Sequence, residues 1–104
     1  MASRGHLTRQ EILQSLRANQ DVLKNYGVRR IGIFGSYAAG KRGSKGDIDF
    51  LVEFEEPTFD NFLGLSRYLE KLFRKKADIL TPGALESIRV KEVGNNIRRS
   101  VIFV

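Results

Sequence analysis

The chain has 104 residues, with 18 Lys plus Arg against 12 acidic residues and a net charge of +6. This length predicts one domain spanning residues 1–104 with a modest core; zero cysteines exclude disulfides and thiolate metal sites. No apolar run is long enough to cross a bilayer, and Arg4 and His6 sit in an N-terminus without a hydrophobic signal core, so a cytoplasmic location is expected.

The first six residues read as a loose tail. Thr8 and Glu11 have capping-box spacing, and Ile12, Leu16, Leu23 and Tyr26 then recur at helical intervals, with Gly27 placed to end the helix. A strand is expected over 28–35. Ala38 and Ala39 suit a short helical turn after Ser36, and Gly40 to Gly46 reads as a Gly- and Lys-rich loop. A second strand runs from Asp47 to Phe54. Pro57 breaks the pattern, Thr58 or Asp60 caps the next helix, and Phe62, Leu65, Leu69, Leu72 and Phe73 form its apolar stripe, with Arg67, Glu70, Lys71 and Arg74 facing water. Residues 77–80 read as a third strand closed by Thr81-Pro82-Gly83, residues 84–97 as a helix, and residues 100–104 as a last strand or docking segment. The order α-β-(short α)-β-α-β-α implies an α/β fold with helices packed on a small sheet.

The chemistry concentrates between the first two strands. Gly35-Ser36 leaves a strand and opens a helix, where free backbone N–H groups suit a phosphate. After ten intervening residues come Asp47, Ile48 and Asp49. Side chains i and i+2 of a strand share a face, so Asp47 and Asp49 project together while Ile48, Phe50, Val52 and Phe54 face the core. Two carboxylates this close repel unless a cation lies between them, and Mg²⁺ prefers such oxygen ligands together with substrate phosphates. Asp78, in a short apolar strand, is a third candidate if that strand lies beside the second. Three carboxylates suit a two-metal displacement at phosphorus, with Asp78 accepting the proton of the attacking hydroxyl.

Gly35-Ser36-Tyr37-Ala38, Gly40, the run from Asp47 to Phe54 and the run from Ala77 to Thr81 resemble the minimal nucleotidyltransferase family, small relatives of the DNA polymerase β superfamily. The resemblance implies a nucleotidyltransferase (polymerase β palm-like) fold: a small mixed sheet flanked by helices. It also implies Mg²⁺, with two ions, and transfer of a nucleoside monophosphate, AMP from ATP, with release of pyrophosphate. In this resemblance Gly35 and Ser36 contact the triphosphate, Asp47 and Asp49 are metal ligands, and Asp78 is the third catalytic carboxylate and metal ligand. Many members act as antitoxins to a helical HEPN protein, adenylylating its tyrosine, which makes a HEPN-family protein the implied partner.

Two positions depart from the family pattern. Ala39 stands where an Arg is common, and Gly46 where a Ser is common. Lys41, Arg42 and Lys45 either replace the missing cation or form an ordinary solvated charge run. Tyr37 either lines the nucleotide pocket or packs. Arg74, Lys75 and Lys76, with Arg98 and Arg99, give only a weak nucleic-acid signal, because no aromatics interleave with them. The alternative readings are a binding module that neutralises a HEPN partner by contact, favoured by Ala39, and a transferase acting on a small molecule or RNA. So small a domain leaves the triphosphate cleft open on one side, which points to a hetero-oligomer.

Overall fold

The computed structural model describes residues 7–40, 46–86 and 100–104, and for Leu85 and Glu86 the backbone alone. The expected loop at Lys41, Arg42, Ser44 and Lys45, the N-terminal tail with His6, the rest of the helix expected to reach residue 97, and Arg98 and Arg99 lie outside these residues.

Helix α1 (Arg9–Ala18) begins as its sequence dictates. The Glu11 N–H donates to Thr8 Oγ1 at 3.1 Å, and the Thr8 N–H donates to Glu11 Oε1 at 2.9 Å, closing a reciprocal cap. The single helix expected as far as Tyr26 breaks at Asn19. The Asn19 side-chain amide donates to the Ser15 carbonyl at 2.7 Å, and its backbone sits at φ −115°, ψ 26°, outside the helical region. Asparagine competes for backbone carbonyls in this way. The chain restarts as α2 (Gln20–Asn25), then turns at Gly27 into β1 (Val28–Phe34).

Strand β1 pairs antiparallel with β2 (Ile48–Phe54), with Ile31 opposite Val52 and Ile33 opposite Phe50. A register shift between Val28 and Arg30 makes Arg29 a bulge. The bulge returns Val28 to the core side, which strict alternation from Ile31 and Ile33 would deny it. It also lets both arginines reach Glu53, at 3.5 Å from Arg29 and 3.4 Å from Arg30. Helix α4 (Phe59–Phe73) is capped by Thr58, whose Oγ1 accepts the Asn61 N–H at 3.1 Å. Strand β3 (Ala77–Leu80) follows and lies parallel to β2, with Asp78 opposite Asp49. Thr81-Pro82-Gly83 does more than close the strand. Thr81 Oγ1 accepts the Ala84 N–H at 3.2 Å, and Pro82 opens α5 (Pro82–Glu86), the position where a missing N–H costs nothing. Strand β4 (Ile102–Phe103) pairs antiparallel with β1, giving a mixed sheet in the order β3-β2-β1-β4.

The core lies on one face of this sheet. Ile31, Ile33, Ile48, Phe50 and Val52 meet Ile12, Leu16, Leu23, Leu65, Leu69 and Phe73 from α1, α2 and α4. The Phe50 and Phe73 rings stack with centroids 6.0 Å apart. Phe62, expected in the α4 stripe, is instead exposed, because the core ends at Leu65. Glu70, expected to face water, is half-buried and accepts the Ala77 N–H at 3.1 Å. The described residues include no helix long and apolar enough to cross a membrane.

Candidate active site

The opposite face of the sheet carries the chemistry. Strand β1 ends at Phe34, which pairs with Asp49, and the next residue is Gly35, the first of the four-residue helix α3 (Gly35–Ala38). The turn therefore arrives directly beside a carboxylate. Gly35 has φ +74°, and any Cβ there would collide with Asp49 Oδ2. Glycine is required twice over, by the backbone angle and by the carboxylate pressed against its Cα. Phe34 gives α3 no side-chain cap, so the helix offers its leading N–H groups as donors without a built-in acceptor from that residue.

Strand β3 supplies the other wall. Asp78 lies opposite Asp49 in a parallel register, so both side chains leave the same face. Asp47, one residue before β2, is exposed and extends that face. Burial first, then the charges of Asp78 and Asp47, hold the Asp49 carboxyl above its ordinary value. The three aspartates expected from the sequence are thus gathered at one end of the sheet and repel one another. Their oxygens fit a hard divalent cation, which would relieve that repulsion. As the side chains stand, no group of three His, Cys, Asp or Glu among the described residues is arranged to hold a metal ion. Donor chemistry and charge fit Mg²⁺, and the side chains would have to close further to coordinate it.

Two supporting residues were not legible in the sequence. Arg9, on the first turn of α1, donates from Nη1 to the Ala38 carbonyl at 2.9 Å and so ties α1 to the end of α3. Glu70 holds the first amide of β3, one residue before Asp78. The Ile48 N–H, between Asp47 and Asp49, donates to the Lys76 carbonyl at 2.9 Å, fixing the two acidic strand ends side by side. Neither Arg9 nor Glu70 carries a local signal, since each looks like an ordinary helix-surface charge. Tyr37 is buried in the core, and Ala39 is exposed at the C-cap of α3.

A family model described as "Nucleotidyltransferase domain" matches residues 15–103. The protein adenylyltransferase MntA of Thermococcus cleftensis is 37% identical over 100 residues, covering 94% of this chain and 97% of that protein. MJ1379 of Methanocaldococcus jannaschii, provisionally assigned as a protein adenylyltransferase, is 39% identical over 101 residues, covering 93% of this chain and 98% of its own length. A solved structure provisionally assigned as a minimal nucleotidyltransferase superposes with a TM-score of 0.72 at 26% identity, covering 93% of this chain and 96% of that one. A mutant MntA–HpeT toxin–antitoxin structure shares the fold, with a TM-score of 0.55 at 19% identity, covering 93% of this chain and 71% of that one.

Proposed function

The chain belongs to the nucleotidyltransferase domain family, and from that membership we propose that it transfers AMP from ATP to a hydroxyl of a partner protein, a tyrosine of a HEPN-type toxin, and thereby acts as its antitoxin. The observation that carries this reading is the meeting of the Gly35 turn with Asp49, and of Asp49 with Asp78 across the β2–β3 register. The name of the Thermococcus relative assigns adenylyl transfer onto protein, and the MntA–HpeT structure is a toxin–antitoxin assembly. Together they support a toxin protein as the acceptor; the tyrosine and the HEPN identity rest on the family resemblance.

In this reading the α3 turn holds the triphosphate through the N–H groups of Gly35 and Ser36 and the Ser36 hydroxyl. Asp47, Asp49 and Asp78 would hold Mg²⁺, which when bound neutralises triphosphate charge and lowers the pKa of the acceptor hydroxyl. Asp78, the exposed member of the β2–β3 pair, takes the hydroxyl proton. The freed oxygen bonds to the α-phosphorus, the bond from that phosphorus to the bridging oxygen breaks, and pyrophosphate leaves with the electron pair. Arg9 and Glu70 keep α3 and β3 in place while this happens.

The test is incubation with Mg²⁺, α-labelled ATP and the protein encoded beside this chain's gene, with Asp47→Asn and Asp49→Asn as controls. Label on the neighbour that disappears with either substitution is the expected result. A tight complex without label would instead favour neutralisation by contact, the reading that the exposed Ala39 supports.

A further inference from the structure

The end of the sheet remote from the aspartates has a separate feature. Strand β2 starts beside Asp47 and finishes at Phe54, so its far end lies about 17 Å from Asp49 at the usual rise per strand residue. Helix α4 begins there. Phe59, Phe62 and Leu63 occupy positions i, i+3 and i+4 on one helix face, with exposures of 75%, 37% and 36%. The Phe62 ring meets the ring of half-buried Phe54 with centroids 6.2 Å apart, so the exposed face continues into the molecule. Clustered exposed aromatics of this kind mark interaction surfaces more often than solitary apolar residues do.

The segment that leads into this patch is acidic in a basic chain, and the nearest cation along α4 is the exposed Arg67, one turn beyond Leu63. Between Glu53 and Asp60 stand four carboxylates and no Lys or Arg, against a net charge of +6 for the whole chain. Glu53 is engaged by Arg29 and Arg30, and Arg29 also reaches Glu55 at 3.8 Å. Glu56 and Asp60 make no ion pair among the described residues. Two uncompensated carboxylates beside an apolar face select for a partner of opposite charge. Pairing the patch with a second copy of itself would bring Glu56 and Asp60 against their own copies, which charge complementarity disfavours.

We propose that Phe59, Phe62 and Leu63 form a docking site for a partner protein presenting an apolar contact flanked by Lys or Arg, which face Glu56 and Asp60. The proposal rests on the reading that the chain works on a separate protein, and it assigns anchoring to the end of the sheet away from the Gly35 turn. Binding of the partner and binding of nucleotide are then separable by mutation.

The experiment measures the affinity of the full chain for the purified protein encoded beside its gene, and separately the retention of labelled ATP by the chain alone. Phe59→Ser, whose side chain is largely in solvent, weakens the complex at least tenfold and leaves ATP retention unchanged. The double variant Glu56→Lys, Asp60→Lys, which leaves the apolar residues in place, does the same and reverses the salt dependence of association. Unchanged affinity in both variants overturns the docking site. So does a wild-type self-dimer that Phe59→Ser converts to monomer, and so does the absence of any complex. Label transfer distinguishes this from the proposed activity. A complex sensitive to Phe59→Ser that carries no label sinks adenylyl transfer and keeps the surface; labelling with full affinity in Phe59→Ser does the reverse.

Discussion

At the scale of single residues, Asp49 is where function opposes stability. Its carboxyl is partly buried, faces two other carboxylates and lies against Gly35. A carboxyl whose folded value is raised contributes stability while it is protonated, below its unfolded value, and that contribution is lost as pH rises through the raised folded value. Metal-free Asp49→Asn should therefore melt higher than the wild type at neutral pH, and the two melting curves should converge at acid pH, where both side chains are neutral. Transfer activity should fall by more than about a hundredfold in the same variant, since even indirect partners of metal sites are worth up to that factor. A lower melting temperature for Asp49→Asn at neutral pH would count against a strained carboxylate cluster. Gly35→Ala makes the complementary case. Its φ of +74° and the neighbouring Asp49 Oδ2 leave no room for a Cβ, so the variant should lose nucleotide retention and also melt lower, with a stability loss of roughly 1–3 kcal/mol for a non-glycine residue forced into a strained backbone region. Calorimetry and labelled-ATP retention check both effects.

At the scale of elements, the site depends on how α4 delivers β3 beside β2. Leu65, Leu69 and Phe73 bury the helix against the sheet, and Glu70, one position from Leu69, reaches forward to the Ala77 amide. Leu69→Ala should destabilise the fold by about 2–5 kcal/mol, the usual range for emptying a fully buried leucine site. Glu70→Gln should cost far less stability, because the amide oxygen still accepts a hydrogen bond, though without the strength a charged acceptor gives. Chemical denaturation measures the difference. Equal losses for the two variants would show that the Glu70 contact, and not the apolar stripe, holds β3 in register. Much of this element level was readable beforehand. The Thr8–Glu11 cap, the Thr58 cap and the third strand follow from residue type and spacing. The break at Asn19 was hidden because both halves keep the same apolar periodicity, and the side-chain bond to the Ser15 carbonyl decides the matter locally.

At the scale of the whole molecule, strand order governs what can be assembled. Placing β1 between β2 and β4 brings residues far apart in the chain into one sheet, and Arg30 then lies over the Phe103 ring at 3.9 Å from its centroid. The Val104 N–H adds a bond to the Ile31 carbonyl at 3.0 Å. Removing residues 101–104 should lower the melting temperature and promote association, because it strips β1 of its neighbour and leaves an open strand edge. Light scattering and thermal melting check this. A truncated chain that stays monomeric with an unchanged melting temperature would show that β4 contributes little.

The sequence by itself determined the local pieces: the caps, the alternation that sends Ile48, Phe50 and Val52 inward and Asp49 outward, the Gly-Ser turn, and the family that this combination marks. Those features depend on nearest neighbours and on periodicity, which a linear chain displays. The tertiary structure decided what linear spacing cannot encode. It set Asp78 opposite Asp49 in parallel register, pressed Asp49 against Gly35, and turned Arg9 and Glu70 from surface charges into ties on α3 and β3. It also moved Phe62 from the expected core to an exposed face beside an acidic segment. Each of these is a distance between segments brought together by sheet order and helix packing, and only burial and hydrogen bonding across the whole fold fix such distances.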